Sequence, residues 1–255
     1  PFKLLGRPYA TIRNIEQQQL KSSVVRGGFE IGKASTIPLQ PPFMDRLDMW
    51  IDASDVSTIT KSGTNVTSIN DKSGNGRTWT GTATFLTNYS GSGTLSCVSL
   101  TTAQSLTYTG KSWAGTDVSV FVVDAWTTIG SVPSRGRVLV SPLANWLMGS
   151  WNNAHPSFFY GSSGPTGADN LDDKALHVHS GWMNSVSQGR GFEDTVDQTG
   201  LMTGTGPNGI AINTSTSFPE PTGNVFAELL IYTFQMPDDH RNQVEAYLKR
   251  KWGTP

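Results

Sequence analysis

The chain has 255 residues, of which 36% are hydrophobic and only 15% charged, with 27 Gly, 8 Trp and 11 Phe. That aromatic content can fill a core, which excludes disorder for most of the chain; sparse charge with abundant Gly, Ser, Thr and Asn suits short strands and tight turns, not helix bundles. Formal net charge is −1, but residues 1–43 hold six Lys/Arg against two Asp/Glu, while the remainder holds 13 against 18.

A basic segment ahead of a mildly acidic body favours docking onto an acidic protein surface. No run of adjacent basic residues points to nucleic acid. No apolar stretch is long enough to span a bilayer, and no signal-peptide core precedes the body, so synthesis in the cytoplasm without membrane insertion is expected. The single cysteine, Cys97, sits in the apolar run 95–100 and reads as a buried free thiol. No intrachain disulfide can form.

Residues 1–43 read as an extended basic arm and linker. Thr11 to Lys21 is polar and Gln-rich, Arg26-Gly27-Gly28-Phe29 is a turn signal, and 37–43 carries three Pro in seven residues. Phe2, Leu4, Leu5, Ile12, Val24, Val25 and Phe29 lack a sustained period. They are expected to anchor the arm on a partner.

The body, residues 44–255, begins with Leu47-Asp48-Met49-Trp50-Ile51-Asp52-Ala53-Ser54-Asp55, followed by Ile69-Asn70-Asp71-Lys72-Ser73-Gly74-Asn75-Gly76. Strand candidates follow at 65–70, 78–86, 95–100, 105–109, 137–141, 157–161, 175–184, 192–197 and 209–213, separated by Gly/Ser/Asn/Pro clusters. Asp117 to Trp126 is apolar on both alternating faces, which predicts a central strand covered on both sides. Asn224 to Phe234 is a second strong strand. Asp238 to about Trp252 predicts the one helix: Val244, Tyr247, Leu248 and Trp252 form a stripe, acidic residues open it, Lys249-Arg250-Lys251 close it, and Gly253 follows. The helix is expected to clasp the sandwich.

The front motifs, together with Ala227-Glu228-Leu229-Leu230-Ile231-Tyr232, Arg241 to Leu248 and Lys251-Trp252-Gly253, resemble the laminin-G-like, concanavalin-A-like lectin jelly-roll family over residues 44–255. Ile69 stands where that family usually has an aromatic residue, and the segment 100–104 lacks the usual Gly. The resemblance implies an all-β fold: a jelly-roll sandwich of two antiparallel sheets, here with an extended N-terminal arm and one C-terminal helix. It implies binding and adhesion, in secreted proteins and in virus and phage particles. One module with an arm and no disulfide resembles a virion component more than a receptor fragment.

Three sites are candidates. Asp52, Asp55 and Asp71 lie in polar turns; the resemblance admits calcium on them, and turn-shaping is the simpler role. Trp146, Trp151, Asn152, His155 and Tyr160 fall in the richest aromatic–amide stretch and form a candidate glycan platform, the alternative being a hairpin that supplies core rings. Trp113 and Trp182 carry the same two readings. His177 and His179 share a strand face and could begin a metal site, but spacing indicates no third ligand.

Catalysis lacks a signature. The body has four Glu, and the nearest acid cluster is 193–197. Glu193 and Asp197 could share a strand face, but four residues apart they sit well over about 10 Å along the strand. The chain is therefore read as non-enzymatic and free of a required cofactor. It is expected to be a structural protein on a virion surface, as capsid decoration, spike or fibre base. The arm would bind capsid or other virion proteins within a homo-oligomer or larger assembly, with host glycans on the outward face. The alternative is a soluble lectin-like carbohydrate-binding module; a glycoside hydrolase or lyase is third.

Overall fold

Period-two runs of β-branched and aromatic residues become strands in the computed structural model, which describes residues 40–89, 93–128, 136–151, 154–161, 164, 166–169, 174–213 and 219–255. The front half gives β1 (Leu47–Asp52), β2 (Ile59–Ser62), β3 (Asn65–Asn70), β4 (Thr78–Leu86), β5 (Cys97–Leu100), β6 (Ser105–Ser112) and β7 (Val118–Thr128). The middle gives β8 (Leu139–Val140), β9 (Trp146–Trp151), β10 (Ala154–Tyr160), β11 (Thr166–Asp169), β12 (His177–Met183) and β13 (Gln188–Glu193). The remainder is β14 (Val196–Asp197), β15 (Met202–Thr203), β16 (Asn208–Ile212), β17 (Gly223–Tyr232) and the helix α1 (Asp238–Trp252).

Every strand pair is antiparallel. One sheet is built around β17, which pairs with β1, β5 and β7; β7 then pairs with β12, and β12 with β13. The other runs β2–β3–β4–β6–β16–β8–β9–β10–β11. Strand β4 joins them, because Thr84–Leu86 pair with β5 while Thr80–Thr82 pair with β6. Gly81 sits at that crossing with φ of 150°, where a Cβ would run into the carbonyl oxygen of Ser105. Only glycine permits both. The architecture is the expected concanavalin-A-like jelly roll of two antiparallel sheets, with α1 the one α-helix among the described residues.

Alternation on β7 separates two cores. Val118, Val120 and Val122 face the space between the sheets, beside Met49, Ile51, Leu229, Trp146, Phe158 and Tyr160. Phe121, Val123 and Ala125 face the other way, onto Leu230, Tyr232 and the α1 stripe of Val244, Tyr247, Leu248 and Trp252. The two-sided apolar pattern thus reports a strand with sheet on one side and helix on the other. Gly181, Gly189 and Gly204 leave room for the Tyr160 side chain, and Gly191 for the Phe158 ring; a Cβ at any of them would strike that side chain.

Helix α1 starts after Pro237 and ends at Gly253, whose φ of 68° is the left-handed exit that glycine favours. Each fully buried Val or Leu on its stripe contributes about 1.5–3 kcal/mol. Arg241 adds an anchor: its guanidinium lies 3.9 Å over the Phe192 ring and 2.6 Å from Glu245 Oε1, which also accepts from Ser180 Oγ at 2.5 Å.

Two sequence expectations change. The Pro-rich stretch does not stay extended to residue 43: Pro41 is buried, Tyr232 Oη donates to the Pro42 carbonyl at 2.9 Å, and Phe43 stacks on His240 at 4.4 Å. Segment 192–197 is not one strand. Asp194 (φ 46°) and Thr195 (φ 82°) make a two-residue turn between β13 and β14, and two successive left-handed residues match hairpin twist. Glu193 and Asp197 therefore lie on different strands. The arm residues Phe2, Leu4, Leu5, Ile12, Val24, Val25 and Phe29 lie outside the described residues.

Candidate functional site

The aromatic stretch folds as the β9–β10 hairpin, whose register pairs Tyr160 with Trp146 and Phe159 with Leu147. Alternation then sorts its rings. Trp146 and Tyr160 point between the sheets, fully buried and stacked at 5.6 Å. Leu147, Trp151 and Phe159 point the opposite way, onto a small cluster with Val140 and Ala211. Of the five expected glycan residues, Trp151 alone is seen to reach the outer face. Asn152 lies outside the described residues, and His155 is described only in its backbone.

Trp151 borders a small cavity of about 90 Å³ lined also by Arg137, Asn145, Leu147, Ser157, Phe158, Phe159 and Gly164. Its polar wall is held from behind. Glu220 Oε2 accepts from Arg137 Nε at 2.5 Å and from Trp151 Nε1 at 2.9 Å, while Arg137 Nη1 donates to Asn145 Oδ1 at 2.9 Å. The Arg137 backbone N–H also donates to the Glu220 carbonyl at 2.9 Å. Guanidinium, amide and indole are thus fixed around an apolar floor, and the Glu220 carboxylate pairs with the guanidinium. This is the usual make-up of a small-molecule site, an apolar surface with a few fixed polar groups. Arg137, Asn145 and Glu220 carried no sequence signal beyond one charge placed between Pro219 and Pro221.

The three candidate calcium ligands serve other partners. Asp52 Oδ1 accepts from Ser54 N and Oγ, and Oδ2 meets Lys72 Nζ at 2.8 Å and Lys251 Nζ at 2.9 Å. Asp55 caps the turn at Ser57 and meets Lys72 Nζ at 2.9 Å. Asp71 Oδ1 accepts from the backbone N–H groups of Trp50 and Ser73, both at 2.8 Å. An ammonium stands between Asp52 and Asp55 where a calcium ion would have to sit. Burial pushes Asp52 up, but Lys251 and Lys72 outweigh it and hold the carboxyl below its ordinary range. Trp113 is buried with Nε1 on Asp48 Oδ2 at 2.8 Å, and Trp182 is buried too.

A second polar cluster lies on β12 and β13, the strands that carry His177 and His179. Register places His179 directly opposite Glu193. His179 is fully buried, with Nδ1 at 2.9 Å from Asp124 Oδ1 and Nε2 at 3.3 Å from Glu193 Oε1. Burial alone would push its pKa down, but the two carboxylates outweigh burial and push it up to about 10. His177 Nδ1 is 2.7 Å from Asp194 Oδ2.

The sequence matches no protein-family model, and no curated protein matches it. Solved structures resemble it in fold. The botulinum neurotoxin serotype D binding domain aligns with a TM-score of 0.59 at 9% identity, over 83% of this chain and 56% of that one. The serotype D ligand binding domain in complex with N-acetylneuraminic acid gives 0.54 at 11%, over 83% and 55%. Domain 4 of AbnA, an extracellular arabinanase from Geobacillus stearothermophilus, in complex with arabinotriose, gives 0.57 at 14%, over 79% and 98%. The body is a β-sandwich of the jelly-roll type. It spans about half the length of the neurotoxin domains and nearly all of the arabinanase domain. Among the described residues no helix is long and apolar enough to cross a membrane.

Proposed function

We propose that this chain is a lectin-like carbohydrate-binding module whose sugar seat is the cavity between Trp151, Phe159 and Arg137. The observation that carries this reading is the outward pair of rings beside a guanidinium, an amide and an indole N–H held in one geometry by Glu220. Rings offer apolar faces to the C–H faces of a sugar, and fixed donors and acceptors meet its hydroxyls. The cavity holds about 90 Å³, well below the size of a drug-sized ligand site, and suits contact with part of a single sugar ring. Because Glu220 meets the Arg137 charge, a neutral sugar fits better than an acidic one. No carboxylate is among the described residues lining the cavity, and hydrolysis by the common glycosidase route needs two, which supports binding over cleavage.

The test is calorimetric titration of the full chain with arabino-oligosaccharides and with sialylated oligosaccharides, repeated on Trp151→Ala. Neutral sugar should bind, and the variant should lose about tenfold or more, the scale of an interface hot spot. Binding that survives in Trp151→Ala removes this cavity, and no binding to any sugar overturns the module reading.

Attachment to a virion through the basic arm stays a separate proposal. Its support is the charge asymmetry of the sequence, and none of the likenesses bears on it. Truncation after Pro38, which spares the docked Pro41–Phe43, should abolish any co-sedimentation with particles and leave sugar binding intact.

A further inference from the structure

The sugar reading makes no use of the His177–Glu193–Asp194 corner. We infer that His177 Nδ1, Glu193 Oε1 and Asp194 Oδ2 form a binding site for a divalent transition-metal ion of the zinc class. One ligand atom from each of these three residues lies within 4.8 Å of the other two. His177 Nδ1 stands 2.7 Å from Asp194 Oδ2 and 3.8 Å from Glu193 Oε1. Zinc holds nitrogen and oxygen ligands at about 2.0–2.2 Å, which puts neighbouring ligands roughly 3–3.6 Å apart, so side-chain adjustments of about an ångström close the site.

The surroundings favour a metal ion in three ways. First, the ligands come from rigid elements: His177 opens β12, Glu193 closes β13, and Asp194 is the first residue of the tight turn, with its Oδ1 held by the Val178 N–H at 3.1 Å. Second, an outer layer is present. His179 Nε2 lies 3.3 Å from Glu193 Oε1 and is itself oriented by Asp124, which is how outer partners fix a ligating carboxylate. Third, the neighbouring Lys249 ammonium bonds the Asp194 carbonyl at 3.2 Å rather than its carboxylate, whose Oδ2 faces His177. Side chains of His177, Glu193 and Asp194 keep 13–17% exposure, enough for an ion to enter and for water to complete its coordination. An imidazole with two carboxylates selects zinc, cobalt, nickel or manganese over calcium, which prefers an all-oxygen shell of six to eight ligands.

Bound metal would tie β12 to the β13–β14 turn. A ligand of the native state raises the melting temperature, by about 5 °C or more at a hundredfold excess over Kd for a domain of this size.

The experiment is titration of the metal-free full chain with zinc chloride by calorimetry, with cobalt chloride by visible absorption, and with calcium chloride for comparison. One zinc per chain should bind saturably, cobalt should give d–d bands of low-coordinate geometry, and the melting temperature should rise. His177→Ala and Asp194→Asn should each weaken zinc by about tenfold or more. Asn tolerates the left-handed backbone of residue 194, so Asp194→Asn removes a ligand charge while keeping the turn, and it decides the matter if His177→Ala misfolds. His240→Ala, a histidine on α1 outside the cluster, should leave zinc affinity unchanged even though it removes the Phe43 stack. Absence of saturable zinc binding overturns the site, as does wild-type affinity in Asp194→Asn or calcium binding as tight as zinc.

Discussion

Glu228 is fully buried, and four donors meet its two oxygens. Trp50 Nε1 (2.7 Å) and Tyr247 Oη (2.8 Å) donate to Oε1, while Trp252 Nε1 (2.6 Å) and Lys251 Nζ (2.8 Å) reach Oε2. Lys251 also reaches Asp52, and Asp52 reaches Lys72, so residues from every motif that suggested the fold meet in one network. A bulge at Ala227 makes this possible: register shifts between Phe226 and Glu228, so both Ala227 and Glu228 face α1. Burial pushes the Glu228 carboxyl above its ordinary range despite Lys251. Glu228→Ala would strand two indole N–H groups and a lysine, and should cost about 3–5 kcal/mol, the scale of a broken buried ionic network. Urea denaturation reads this directly, and a loss below about 1 kcal/mol would contradict the clasp. At the cavity, Glu220→Ala releases both Arg137 and Trp151. It should weaken sugar binding while costing stability only about 1.5–3 kcal/mol, as for a lost charged hydrogen bond.

Among elements, α1 and β4 depend most on single positions. Leu248 is fully buried against β7 and β17, so Leu248→Ala should cost about 2–5 kcal/mol through lost transfer energy and a cavity. Both bounds of α1 were legible from Pro237, Gly253 and the stripe, because capping and period are local properties. Strand β4 was legible to the residue, but its role in joining the sheets was not: the Ser105 carbonyl that forbids a side chain at Gly81 is brought there by β6 pairing. Gly81→Ala should fail to fold or lose more than about 3 kcal/mol, since it combines a backbone clash with a disallowed φ. Expression yield and a urea transition would show it. The 192–197 segment reads as one strand because its turn is made by Asp and Thr, not Gly or Pro; only the hairpin pairing of Glu193 with Val196 reveals the turn.

Across the whole molecule, stability should depend on acid in a defined way. Asp48 is pushed up by burial but held below its ordinary range by Lys111, Arg77 and Trp113; Asp52 is held down by Lys251 and Lys72. A carboxylate whose folded pKa is depressed contributes stability that is complete above its unfolded value, about 3.8, and is lost as pH falls through the folded value. Glu228 has the opposite sign: its raised pKa makes its ionisation costly, a cost removed as pH falls through the folded value. The urea midpoint should therefore hold down to about pH 4 and drop below it. Lys72→Met should shallow that drop, because Asp52 and Asp55 each lose a partner. Equal midpoints at about pH 3 and pH 7 would contradict the assignment.

Local chemistry alone carried the fold class: strand alternation, the polar Gly-rich turn after β3, the capped helix and the two-sided apolar β7 are written within a few residues of themselves. The candidate sites were decided by tertiary structure. Which rings of 146–160 face solvent depends on which side of β9–β10 the other sheet covers, so Trp146 and Tyr160 became core while Trp151 and Phe159 became a cavity. The polar wall behind them joins Arg137, Asn145 and Glu220, the last brought more than seventy residues along the chain by the approach to β17. His177 and His179 lacked further donors in sequence spacing because Glu193 and Asp194 arrive from the adjacent strand and its turn. Periodicity is a property of neighbours along the chain; a binding site is a property of neighbours in space.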